Sequence, residues 1–121
     1  MINAKKLYNT ILNDTRITEL VNIVLDAYPE TVEEFPCVIY LDENQNDIEY
    51  ADNLPLGNSI TVQIHIFTKA LSGYATTSTI GLKVAEVMKE NYFICRNNRE
   101  VADVDVNVRH RVMEFTREVF S

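Results

Sequence analysis

The stretch Ser59–Lys69, SITVQIHIFTK, alternates without a break. Ile60, Val62, Ile64 and Ile66 fall on one side; Ser59, Thr61, Gln63, His65 and Lys69 fall on the other, with Phe67 among them. A period of two held over that length, in side chains rich in β-branching, specifies a strand with one buried face. A strand of this kind is stable only under a second layer, so the rest of the chain must supply that layer.

Helical periodicity supplies it twice. Ala4, Leu7, Tyr8, Ile11 and Leu12 make an apolar stripe over residues 2–13, with Asn3 placed to cap it. Residues 74–91 read as the strongest helix, with Ile80, Val84, Val87 and Met88 as the buried stripe. Ala75, Gly81 and Ala85 give that helix a close-packing side. Between the two, residues 15–28 fit a second helix through Ile17, Leu20, Val21, Val24, Leu25 and Tyr28, yet Val21, Ile23 and Leu25 also fit a strand. Pro29 ends either element. Cys37–Leu41 is a short apolar run that reads as a strand buried on both faces.

Residues 42–58 are polar and acidic and read as a long loop or a hairpin tip with a weak strand near Ile48–Ala51. After the central helix, residues 92–95 are apolar and Arg96–Arg99 reads as a turn. Val104, Val106, Val108 and Val112 alternate as a strand, with His110 in phase. The phase then shifts to Met113 and Phe115, as a β-bulge or the start of a contact with a different partner would make it do. A helix over residues 109–120 also fits the spacing of Val108, Val112, Phe115 and Val119, but strand is the preferred reading. The expected architecture is one α+β domain spanning residues 1–121: a mainly antiparallel sheet of about four strands with the helices on one face.

The chain has 121 residues and a formal net charge of −7. That balance argues against general nucleic-acid binding, which needs basic surface to displace counterions. The charge is uneven: acids dominate residues 26–52, and Arg96, Arg99, Arg109, Arg111 and Arg117 gather near the end. An acidic edge of one copy could meet a basic edge of the next, although a mixed solvated surface is the plainer reading. The two cysteines, Cys37 and Cys95, sit in apolar settings and read as small buried hydrophobes. No signal peptide or bilayer-length apolar run is expected, which reads as an intracellular chain.

Catalytic patterns are weak. There is no G-x-S-x-G, C-x-x-C or H-E-x-x-H. His65 reads as an exposed histidine on a polar strand face, and His110 as a partly buried one among valines. Asp42-x-Asn44-x-Asn46 begins like a calcium loop, but Asp47 stands where glycine is needed and Asn53 where the bidentate glutamate belongs. Asp42, Glu43, Asp47, Glu49 and Asp52 could offer an acid–base pair, with nothing in the sequence to desolvate one. Arg109 and Arg111, two apart on a strand, project from one face and suit an anion or a salt bridge. No cofactor or metal is expected, and an interaction or assembly protein fits better than an enzyme.

Taken in order, these stretches resemble the small tail-completion, or tail-terminator, proteins of long-tailed bacteriophages and prophages. The resemblance rests on the N-terminal amphipathic helix Ala4–Leu12, on Glu34-Phe-Pro-Cys-Val-Ile-Tyr40, on the alternating strand Ile60–Thr68 with its following helix, and on His110-Arg-Val-Met-Glu-Phe115. It implies a non-enzymatic virion component that caps the tail tube as a ring, usually of six copies, and joins the tube to the head connector. The implied partners are further copies of itself, the tail-tube protein and the head-connector protein. The implied locations are the bacterial cytoplasm during assembly and then the virion. It also implies that Val21–Ala27 is partly extended. Two surfaces follow as candidates for the ring contact: the acidic residues Asp42, Glu43, Asp47, Glu49 and Asp52, and the arginines Arg109, Arg111 and Arg117. The alternative is a small intracellular adaptor or regulatory protein that binds one partner through a sheet edge.

Overall fold

The computed structural model describes residues 3–43 and 58–119. Along the chain these form α1 (Ala4–Leu12), α2 (Thr15–Thr18), β1 (Ile23–Leu25), β2 (Cys37–Asp42), β3 (Asn58–Lys69), α3 (Thr77–Glu90), β4 (Ile94–Val101) and β5 (Val108–Val119). The class is α+β. The sheet has five strands rather than about four, in the order β1-β2-β3-β5-β4. It is mixed: β1 runs parallel to β2, and the other three pairings are antiparallel.

β3 is the centre of this sheet, paired with β2 on one side and with all twelve residues of β5 on the other. Its alternation does what the sequence requires. Ile60, Val62, Ile64 and Ile66 are all buried and face the helices, together with Val38 and Tyr40 of β2 and Met113 and Phe115 of β5. Tyr8, Ile11 and Leu12 of α1, Ile17 of α2, and Ile80, Val84, Val87 and Met88 of α3 close the same core. Full burial of one such aliphatic side chain is worth about 1.5–3 kcal/mol, so this layer is the main source of stability. Asn3 caps α1 by accepting from the Lys6 amide at 3.1 Å, and Thr76 caps α3 through the Thr79 amide at 3.1 Å. Gly81 lets α3 approach β5: a Cβ there would stand 3.2 Å from the Arg111 Cδ.

Several local expectations are corrected. The second helix stops at Thr18, and Ile23–Leu25 is strand β1; the Asn22 amide donates to the Pro36 carbonyl at 2.7 Å and turns the chain into the sheet. The expected turn Arg96–Arg99 lies inside strand β4. Val104 and Val106 are not strand residues; they stand exposed in the 102–107 connection. β5 pairs with β3 without interruption, so the phase change between Val112 and Met113 is no bulge in that ladder; both faces of β5 are buried there, and the register irregularity falls at Cys95/Asn97 of β4. Cys95 is exposed, whereas Cys37 is buried as expected. The strand preferred over a helix for residues 109–120 is present as part of Val108–Val119.

Candidate interaction surfaces

The sheet face away from the helices carries a second, smaller layer. Cys37, Ile39, Phe67 and Val108 are buried there, with Val32 and Phe35 of the 26–36 segment packed over them. Next to this cluster lies a polar chain. Antiparallel pairing places Phe67 opposite His110 and leaves His65 diagonal to His110, within reach of a ring contact. His65 Nδ1 is 2.8 Å from His110 Nε2, and His65 Nε2 is 2.7 Å from Gln63 Oε1. An amide oxygen only accepts, so the Gln63 contact puts a proton on His65 Nε2. His65 Nδ1 is then the acceptor and His110 Nε2 the donor. The Phe67 and His110 rings stack at 4.1 Å, and Tyr28 meets His65 edge-on at 5.1 Å.

His65 is therefore not the exposed histidine the alternation suggests; it is 8% exposed. Burial, then the neighbouring His110 and Arg99, bring its pKa down to about 4. Burial also lowers that of His110, against the opposing pull of Asp103. Both rings are neutral at neutral pH, which suits a structural pair. Along the same face Thr61 and Thr116 bond side chain to side chain at 3.1 Å. Glu43 and Glu114 share a hydrogen bond, and burial, that bond and the nearby charges of Glu114 and Asp42 hold the Glu43 pKa above the usual range.

Of the acidic candidates, Asp42 is the last residue of β2 and is largely buried, not a loop residue in solvent. Its charge and that of Glu43 add to burial in raising the Tyr8 pKa. Glu43 is exposed and accounted for by Glu114. Asp47, Glu49 and Asp52 lie outside the described residues, as does the weak strand expected near Ile48.

The three arginines share the helix-facing side of β5, as their spacing requires, but they do different things. Arg111 ties α3 to β4: it donates to Thr77 Oγ1 at 3.3 Å, Ser78 Oγ at 3.0 Å and Asn98 Oδ1 at 2.9 Å. Thr77 in turn donates to Glu100 at 2.8 Å. Arg117 stands 5.9 Å from the rings of Tyr92 and Phe93. Arg109 is exposed and lines an open recess with Lys69, Thr76 and Ser78 at the start of α3. Arg109 is thus the arginine of the three most available to a partner.

Sequence reasoning missed the most exposed element of all. Among the described residues β4 pairs with β5 on one side only, and seven of its eight residues, Ile94–Glu100, are exposed. Tyr92 (79% exposed) and Ile94 (58% exposed) stand at its start. At the β4–β5 end of the sheet, Val104, Val106 and Leu71 project into solvent. Among the described residues no group of three His, Cys, Asp or Glu is placed to hold a metal ion, and no helix is long and apolar enough to cross a membrane. No family model matches the chain, and no curated protein matches it.

Proposed function

We propose that this protein is a non-enzymatic assembly component of a phage or prophage tail, capping the tail tube as a ring of copies and joining it to the head connector. The observation that carries the reading is β4: an eight-residue edge strand, nearly all exposed, in a domain whose core is already complete without it. An unpaired strand edge of this length presents a row of free backbone donors and acceptors and is a template for pairing with another chain. Exposed aromatic and aliphatic side chains beside it, Tyr92 and Ile94, are the kind that interfaces use. The resemblance of the ordered elements to tail-terminator proteins supplies the particular assembly.

The same edge supports a second reading, an adaptor that takes up one partner's strand by β-augmentation. The two separate on a defined assay. Mixed with the tail-tube protein that this reading expects to be encoded beside it, a terminator stops tube growth and a single-partner adaptor leaves tube length unchanged. Neighbouring genes for tube, portal and connector proteins are expected on the first reading, and their absence would count heavily against it.

A further inference from the structure

We propose that copies of this chain associate head to tail through their sheet edges, β4 of one copy lying antiparallel to β1 of the next. The inference rests on the assembly reading only in taking a second copy as the occupant of the β4 edge.

Strand direction comes first. β5 is antiparallel to both β3 and β4, so β3 and β4 run one way; β1, β2 and β5 run the other. A second copy related by rotation about an axis along the strands keeps these directions. Its β1 then meets β4 antiparallel, with the two sheets continuous and the same face outward. Such a contact joins two different patches, which is the heterologous kind that closes into rings.

Charge comes second. The β4 edge carries Arg96 and Arg99, both exposed and without an ion pair among the described residues. The β1 edge is bordered by Asp26, Glu33 and Glu34, all exposed, with Lys5 and Lys6 across from Asp26 on α1. Arg99 pairs with Val112 and so lies on the face away from the helices; the 26–36 segment that bears Glu33 and Glu34 covers that same face.

Shape fixes a register. β1 is flanked on that face by a recess of about 280 Å³ with Ile23, Leu25, Val32, Glu33 and Glu34 in its walls. Ile94, opposite Thr116, projects from the matching face of β4. With Ile94 beside Leu25 of the next copy, Arg96 falls beside Ile23 of that copy. That is the end of β1 where Cys37 pairs and where Glu34 stands three residues upstream. In this register the apolar side chains meet, and Arg96, which the irregularity of β4 leaves without a β5 partner, comes level with the Glu34 end of β1. β1 is only three residues long, so side chains around a short ladder carry the specificity.

Two double variants test this: Arg96→Glu with Arg99→Glu on one edge, and Glu33→Lys with Glu34→Lys on the other. All four positions are exposed, and circular dichroism is to be used to check that each variant folds before association is compared. Self-association is measured by sedimentation velocity and light scattering. Each variant alone should associate at least about tenfold more weakly than the native chain, and an equimolar mixture should recover to within about threefold. Recovery on mixing is expected only if two different edges meet, because each variant retains the edge the other has lost.

If the Glu33/Glu34 variant associates as well as the native chain, the contact is not with β1, and a symmetric β4–β4 dimer takes its place. If the mixture fails to recover, or the native chain stays monomeric at every concentration reached, the proposal is overturned. The tube assay is scored separately. Capped tubes with failed mixing would overturn this interface and leave the function standing; restored mixing with uncapped tubes would do the reverse.

Discussion

Tyr8 is fully buried in the helix-facing core, and its hydroxyl has no hydrogen-bond partner among the described residues. A buried hydroxyl left unpaired costs desolvation free energy with no return, whereas the ring packs against Tyr40 and Phe93. Tyr8→Phe is therefore expected to be neutral or to stabilise by about 1 kcal/mol, read from the urea midpoint; a loss of that size would show that the hydroxyl is bonded.

His65 makes the second residue-scale prediction. Its ordinary value is 6.5 and its folded value about 4, so between those pH values the unfolded chain binds more protons than the folded one. Stability must then rise with pH across that window and fall as pH drops through it. Each pH unit between the two values is worth at most about 1.4 kcal/mol. With some allowance for solvent screening, the native chain should lose about 2–3 kcal/mol more than His65→Gln between pH 6.5 and 4. Comparison with the variant removes the background from other groups. Asp14 and Glu90, which Arg16 holds below the usual carboxylate range, lose stability on acidification, and Glu43 works in the opposite sense. Equal pH profiles for the two chains would contradict the buried neutral pair. Neither the His65–His110 contact nor its depth could be read from the sequence: alternation put His65 on the polar side, and only the β3–β5 register brings His110 to it.

At the scale of elements, legibility followed hydrophobic contrast. α1 and α3 each set a buried stripe against a solvent stripe, and β3 sets aliphatic side chains on the helix side against mostly polar ones on the other, so their periods gave them away. β4 is exposed on both faces and holds Arg96, Asn97, Asn98 and Arg99, so it has no contrast to read and looks like a turn. β5 is buried on both faces near Val112 and Met113, so two correct phases overlap and imitate a bulge. Val104 and Val106 mislead in the other direction, since valines in an exposed connection continue an alternation that the backbone does not.

The link from α3 to β4 carries its own prediction. The Tyr92 amide bonds to Lys89 and the Phe93 amide to Met88, both at 3.0 Å, which closes the helix as a Schellman motif. Tyr92 sits at the left-handed position with φ of 69°, where glycine is favoured. Tyr92→Gly should raise thermal stability by about 1 kcal/mol, because the strain of a side chain at that φ is removed. The same change deletes a ring that is 79% exposed beside the β4 edge, so self-association should weaken while the fold strengthens. A variant that is both less stable and equally associated would contradict this account of the strained residue.

For the whole molecule, the described residues form one buried helix-facing core and an exposed edge strand. Helices and strands bury the apolar faces of the domain, while among the described residues β4 is paired on one side and exposed. The α+β class was legible because period-two and period-3.6 segments alternate along the sequence. The candidate surface was legible only as charge asymmetry, since which residues form the two edges depends on strand order. The most direct test of the proposed capping role is to add the purified protein to growing tail tubes of the tube protein that the proposal expects to be encoded beside it, and to view them by electron microscopy. The account predicts ring-shaped density at one end of each tube and an end to elongation there; tubes that keep growing with bare ends, or that are decorated along their sides, would contradict it.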